Sequence, residues 1–258
     1  MNDQESAAYG YDAYAHPSIP ADLVIFAIRT KPASSTRRML PDRTLEILLV
    51  RRGRPPYQGC WALPGGFSRP GETIEEAARR ELASETGLSD VYLEFLRLYD
   101  DPSRDPRGWI VAAAFFALVK GNPPPLTAAD DAADAQWFAV EAVLQWPQGA
   151  ADGQAAEVIT LAFDHRSIIH DALAALRHKL HRTLVAQELL PQTFTLAELF
   201  QIIQVIDPEF SEERPNFMRK LLQRHILEET GGTDDRYSQR PARQYRFTGY
   251  LPPQSIYQ

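Results

Sequence analysis

Residues 66–88 constrain this chain more than any other stretch: Gly-Phe-Ser-Arg-Pro-Gly-Glu-Thr-Ile-Glu-Glu-Ala-Ala-Arg-Arg-Glu-Leu-Ala-Ser-Glu-Thr-Gly-Leu. Pro70-Gly71 makes a turn, Glu72 and Thr73 offer cap chemistry and Gly87 a C-cap, so the spacing predicts a helix over Thr73–Thr86. Glu81 and Glu85 stand four apart and leave one face of it; position 84 shares that face and holds Ser84. Carboxylates gathered in this way repel one another unless a hard divalent cation sits among them, and such an oxygen donor set suits Mg²⁺ or Mn²⁺. The cation would bridge a diphosphate and lower the pKa of an attacking water. Gly65-Gly66 allows backbone to approach that site closely. Ser84 weakens the set, because a hydroxyl is a neutral, poor ligand. Glu75 and Glu76, with Arg79 and Arg80, read as solvated helix charges, Arg80 also being placed to brace Glu81.

Short runs rich in Val, Ile and Leu surround this helix. Asp22–Arg29, Leu45–Arg51, Val91–Tyr99, Trp109–Val119 and Ala135–Val140 read as strands, with a short helix starting at Glu141. A helix enclosed by strands argues α/β layers. From Arg166 the period changes: Ile169, Leu173, Leu176, Leu180 and Leu184 define one face of a long helix that Pro191 ends. Thr195-Leu-Ala-Glu198 is a capping box for a second helix to Ile206, and Pro215 starts a third, about Glu213–Arg224. His225–Glu229, a Gly-Gly-Thr-Asp-Asp turn and Ala242–Thr248 read as a hairpin. Three helices and a hairpin are the order of a winged helix-turn-helix.

The net charge of −7 is unevenly spread, and residues 214–248 carry eight basic residues against four acidic ones. A basic end on an acidic protein suggests an anion contact, nucleic acid included; the plainer reading is a solvated surface. The one cysteine, Cys60, forms no internal disulfide and reads as a small buried hydrophobe. The first twenty residues have no signal-peptide pattern, and the longest apolar stretch is too short for a bilayer. A cytoplasmic protein is expected, with no membrane partner.

Gly66, Glu72, Arg80, Glu81, Leu82, Glu85, Gly87 and Leu88 fall at the spacing of the Nudix box, Ser84 replaces the first Glu of its Glu-Glu pair, and Trp61-Ala-Leu-Pro-Gly-Gly resembles its usual lead-in. Over roughly 21–150 the chain therefore resembles the Nudix family. That implies an α/β/α sandwich with a mixed sheet and a nucleoside-diphosphate ligand, with Glu81 and Glu85 as metal ligands and, if the site is active, catalytic groups. Arg51, Arg52, Arg104 and Arg107 are the candidate phosphate contacts, loop salt bridges being the plainer alternative. An adenine-stacking aromatic is expected among Tyr57, Phe67 and Trp109.

Phe194-Thr-Leu-Ala-Glu-Leu, Asn216-Phe-Met-Arg-Lys-Leu, Arg240-Pro-Ala-Arg-Gln-Tyr-Arg-Phe and Arg104-Asp-Pro-Arg-Gly resemble the Nudix-related transcriptional regulators of the NrtR type. The resemblance implies a homodimeric repressor of NAD-metabolism genes, bound to operator DNA and relieved by ADP-ribose. Asn216, Arg219, Lys220 and Arg224 are expected on the recognition helix, and Arg236, Arg240 and Arg243 in or near the wing. The layout expected is an arm (1–20), a Nudix-like domain (21–150), a linker and connecting helix (151–190) and a winged helix domain (191–258). Two alternatives stay open: a working ADP-ribose pyrophosphatase with an accessory domain, and a regulator of sugar-utilisation genes. An interaction module that binds protein instead of DNA is a third.

Overall fold

The computed structural model describes residues 15–31, 40–123, 132–146, 160–236 and 240–249; residues 1–14 of the expected arm lie outside these. Strand β1 (Pro20–Lys31) is the centre of a seven-stranded sheet and is buried along its first nine residues. It pairs antiparallel with β2 (Asp42–Arg52) and parallel with β6 (Ala112–Val119), which is buried throughout. Continuous apolar runs such as Leu-Val-Ile-Phe-Ala-Ile and Ala-Ala-Ala-Phe-Phe-Ala-Leu-Val suit this position, since a central strand is covered on both faces. The sheet runs β3 (Trp61–Ala62), β2, β1, β6, β5 (Tyr92–Tyr99), with β4 (Gly65–Phe67) added to β1 and β7 (Ala132–Ala139) to β2. It is mixed, as the resemblance implied.

Each face is closed by a helix. Helix α1 (Ile74–Thr86) sets Ala77, Ala78 and Leu82 against Leu23, Ile25 and Phe115. Its start is a complete capping box between Thr73 and Glu76, and Gly87 ends it at φ 71°, a left-handed conformation glycine adopts without strain. A short helix α2 (Val140–Gln145) follows β7. Helix α3 (His165–Leu180) covers the other face with Ile168, Ile169, Ala172 and Leu176 against Val24, Phe26 and Phe116. The periodicity carried this helix to Leu190; it stops at Leu180. The amides of Arg182 and Thr183 both return to the Lys179 carbonyl (3.0 and 2.8 Å), and the Thr183 hydroxyl caps the same oxygen (2.9 Å). Leu184 still reaches the core, from outside the helix just before a 3₁₀ turn at Val185–Glu188.

The remainder is the expected winged helix: β8 (Phe194–Thr195), α4 (Leu196–Ile206), α5 (Arg214–Gln223), β9 (Leu227–Asp234) and β10 (Ala242–Phe247), the strands ordered β8-β10-β9. The hairpin differs from expectation in one respect. Gly231-Gly232 lies inside β9, not in the turn, because a register shift opposite Arg243/Tyr245 absorbs the extra residues there and Gly231 takes φ 77°.

One apolar core runs through both halves. Val24, Phe26 and Phe116 belong to the same buried cluster as Leu176, Leu199, Ile203, Phe217, Leu221 and Tyr245, with α3 in the middle. Polar contacts follow the same joint: Arg43 of β2 pairs with the buried Glu198 of α4 (3.2 Å), and Gln201 donates to the Pro41 carbonyl (2.7 Å). The two halves should therefore unfold together. All four tryptophans lie in 61–146, so their fluorescence reports the first half while far-UV circular dichroism reports both. Leu176→Ala is expected to remove about 2–5 kcal/mol with the two signals still coincident; separate midpoints would contradict the shared core.

Candidate effector site and nucleic-acid interface

The box at Gly66–Leu88 folds around Arg80. Its guanidinium grips Glu72 with two bonds (2.8 and 3.0 Å), donates to Glu81 and reaches the Phe67 carbonyl (3.2 Å). The hydrogen bonds from Arg80 hold the Glu72 carboxyl at about 2, below the usual carboxylate range. Gly66 is required by close approach: a Cβ there would lie 2.1 Å from Glu81 Oε1. Gly65 is required for the same reason against β1, where a Cβ would lie 2.2 Å from the Ala21 carbonyl oxygen. Glu85 is half-buried, and burial, then the Glu81 charge, push its carboxyl up. Ser84 is exposed.

This donor set does not fit a hydrolytic metal cluster. It offers two carboxylates, one of them already paired with Arg80, and the neutral hydroxyl of Ser84 in place of a third. Among the described residues no group of three or more His, Cys, Asp or Glu side chains is arranged to hold a metal ion.

Beside the box, two of the four candidate phosphate arginines converge. Arg52, at the end of β2, lies 4.8 Å from the Phe163 ring centre, and Arg107 lies 5.5 Å from the same ring and 5.4 Å from Phe67. Arg52 is anchored on the Pro56 carbonyl (2.7 Å), and Arg107 on Asp105 (2.6 Å). Burial, then the Arg107 charge, pull the Arg52 guanidinium down, so an anion between the two would relieve a like-charge contact. Tyr57 meets Phe163 edge-on at 4.8 Å. Tyr57, Phe67 and Trp109 are all exposed, but only Tyr57 and Phe67 are tied to this group by ring contacts among the described residues. Tyr57 and Phe163 both hold positive φ (59° and 52°), sparsely populated for aromatic residues and concentrated here at one site.

The other two arginines are placed differently. Arg51, one residue earlier and so on the other side of its strand, is exposed and donates to the Gly59 carbonyl (3.2 Å). Arg104 is a correction to the sequence expectation. Its side chain is 3% exposed and is divided between Asp22 (3.1 Å) and Asp164 (2.7 Å), so it holds protein to protein and presents nothing to a phosphate.

Phe163, Asp164 and His165 escaped the sequence reading, which placed them in a linker. The segment joins the sheet instead: Trp61 donates to the Thr160 carbonyl (2.9 Å) and Ala162 donates back to Trp61 (2.8 Å). His165 is buried, which lowers its pKa, and its Nδ1 accepts the Leu63 amide (2.9 Å) in the lead-in to the box. The available signal was Leu161-Ala-Phe163 after a long Ala-rich polar stretch, too short to show a period.

At the other end of the molecule, Asn216, Arg219 and Lys220 lie together on α5. Arg219 is exposed and donates to Asn216, while Glu212 holds both Asn216 (2.8 Å) and Lys220 (2.7 Å). Arg224 is the C-cap of α5. In the wing, Arg236 pairs with Asp234, and Arg243 pairs with Glu229 (3.1 Å). Arg240, exposed, lies just before β10. The Arg243–Glu229 pair is exposed on both sides and contributes little stability, so a phosphate can replace its carboxylate, whereas Asp234 is buried beneath Arg236.

A diphosphate-binding type of fold is thus joined through a shared core to a winged helix. Residues 35–160 match the family model of the NUDIX domain, and residues 186–247 that of the NrtR DNA-binding winged helix domain. The chain is 30% identical over 245 residues to the "ADPR responsive transcriptional repressor NtrR" of Acinetobacter baylyi, covering 93% of this chain and 86% of that one. It aligns with Shewanella oneidensis NrtR complexed with a 27mer DNA at a TM-score of 0.69 and 28% identity, over 92% of this chain and 98% of that one. The NUDIX domain of the same Shewanella protein complexed with ADP ribose aligns at 0.51 and 28%, over 68% and 99%. The chain is also 35% identical over 161 residues to the ADP-ribose pyrophosphatase of Methanocaldococcus jannaschii, covering 62% of this chain and 76% of that one. The chain belongs to the NrtR family of Nudix-related transcriptional regulators.

The raised Glu85 pKa has a measurable consequence. The folded state holds that proton more tightly than the unfolded chain, so the group costs stability once the pH passes above the ordinary carboxylate range. Glu85→Gln should raise the melting temperature at pH 7, and the gain should vanish below about pH 4, where a free glutamate is itself protonated. A gain independent of pH would contradict this assignment.

Proposed function

We propose that this protein is a transcriptional repressor whose Nudix domain senses ADP-ribose and whose winged helix binds operator DNA. The observation that carries the sensing half is the convergence of Arg52 and Arg107 on Phe163 beside Gly65–Phe67: two cations and an aromatic surface suit a diphosphate bearing an adenine. For the DNA half it is α5, with Asn216 and exposed Arg219 on the side away from buried Phe217 and Leu221. Arg219 and Asn216 suit base edges, whereas Lys220, Arg224, Arg236, Arg240 and Arg243 suit phosphates. The Acinetobacter relative is named an ADPR responsive transcriptional repressor, and the Shewanella structures are complexes with a 27mer DNA and with ADP ribose. A homodimer on two half-sites, NAD-metabolism genes as targets and a cytoplasmic location complete the proposal. Among the described residues no helix is long and apolar enough to cross a membrane.

The two retained carboxylates, Glu81 and Glu85, suit at most one weakly held Mg²⁺ or Mn²⁺. Binding without turnover is what a sensor needs, because a sensor that cleaved its effector would erase its own signal. The likeness to a pyrophosphatase makes hydrolysis the alternative to exclude.

Two measurements test this reading. Incubation with ADP-ribose and Mn²⁺ should give no AMP at ordinary enzymatic rates, and Ser84→Glu should raise the yield; AMP released rapidly by the unaltered protein would make it an enzyme. DNA from beside its own gene should bind with an affinity that falls steeply with salt. Arg219→Ala should weaken that binding about tenfold, within the range for one base-reading arginine. Unchanged affinity would contradict the assignment of α5.

A further inference from the structure

We propose that the cluster of buried Asp22, Arg104 and His165 with the partly exposed Asp164 is the coupling element that carries effector occupancy to the winged helix, with Arg104 and Asp164 as its positioning residues. The inference rests on the sensing role proposed above and assigns its transmission to named bonds.

The cluster joins segments far apart in sequence. Asp22 is on β1 and Arg104 is in the loop after β5; Asp164 and His165 are the N-cap and first residue of α3. Arg104 binds Asp164 in two-pronged fashion (Nε 3.0 Å, Nη2 2.7 Å) and Asp22 at 3.1 Å. His165 lies 3.8 Å from Asp22 through Nε2 and accepts the Leu63 amide through Nδ1. The Asp164 side chain makes no capping bond to its own helix, so its carboxylate serves the Arg104 contact and not helix initiation.

The input side is three residues along the same loop. Asp105 holds Arg107, whose guanidinium lies over Phe67 and Phe163, and Phe163 immediately precedes Asp164. A ligand seated on Arg107 and Phe163 therefore acts on both partners of the Arg104–Asp164 bond. The output side is the far end of α3, where Arg177 donates to the Ile206 carbonyl (2.8 Å) and His181 meets Asp207 (2.8 Å), both at the end of α4. The sixteen-residue helix spans about 24 Å and moves as a rod. A cavity of about 860 Å³ beside its C-terminal half, lined by Leu45, Val140, Leu144, Leu173, Arg177 and Ile206, leaves room for that end to shift against the first half of the chain.

The test uses the full chain, DNA from beside its own gene and ADP-ribose. Asp164→Asn keeps volume and removes the charge. It should keep ADP-ribose affinity and ligand-free DNA affinity within about threefold, yet cut the ADP-ribose-induced loss of DNA affinity at least tenfold; Asp164→Glu should restore part of the response. Asp22→Asn, on the opposite side of Arg104, should act in the same direction. In the unaltered protein, ADP-ribose should change amide hydrogen exchange at 160–168 and at 203–207 together. A full response in both Asn variants, loss of ADP-ribose binding by them, or exchange changes confined to 160–168 would each overturn the coupling role while leaving the sensing role standing. An unaltered protein whose DNA binding ignores ADP-ribose would remove the sensing role and, with it, this inference.

Discussion

Helix α3 has one broad apolar face and must satisfy two partners with it. Ile168 and Ile169 near its start belong against the sheet, and Leu176 and Leu180 near its end belong to the core that continues into α4 and α5. Burying that face is worth tens of Å² per residue at about 25 cal/mol per Å², and no rearrangement can leave either half without exposing it. The two halves are consequently not beads on a linker. Any change in the seat of α3 is felt by the winged helix, and any change in the winged helix by the sheet.

What seats α3 at its start is electrostatic. A guanidinium as buried as that of Arg104 persists only if its charge is matched, and Asp22 and Asp164 do so. Burial pulls the Arg104 pKa down, and the two carboxylates more than offset this. Such clusters are costly to break one member at a time, which gives the loop around Arg104 and the first turn of α3 a fixed relation. The box on the opposite face of the sheet is held with comparable care: Arg80 neutralises Glu72 and Glu81, and Gly66 admits Glu81 to van der Waals contact. The box keeps this packing, while Ser84 leaves it one carboxylate short of the Nudix pattern.

Much of this was legible in the sequence, for a physical reason in each case. The helix at Ile74–Thr86 was readable because both caps and the box spacing are local. The α4 capping box at Thr195 and Glu198 was equally local, although its second use, the ion pair with Arg43, spans 155 residues and left no trace in pattern. The strands β3, β4 and β8 were invisible because two or three residues carry no period. Leu184 mimicked helix continuation since a core position can also be filled by the residue that leads into a 3₁₀ turn. Arg104 and Arg107 looked alike in the sequence; only the fold separates them, burying one between two aspartates and setting the other over aromatic rings. Phe163 and His165 sat in a stretch without motif and acquire meaning only when β3 draws them in.

In the coupling proposed here, one arrangement of α3 favours DNA and the other favours the effector. Thermodynamic linkage makes this reciprocal: if ADP-ribose weakens DNA binding by some factor, DNA weakens ADP-ribose binding by the same factor. Titration calorimetry of ADP-ribose into the free protein and into the protein saturated with its operator measures both sides. Weaker ADP-ribose binding to the DNA-bound protein, by a factor matching the loss of DNA affinity, is the predicted result. Equal affinity in the two states would mean that α3 does not couple the effector site to DNA.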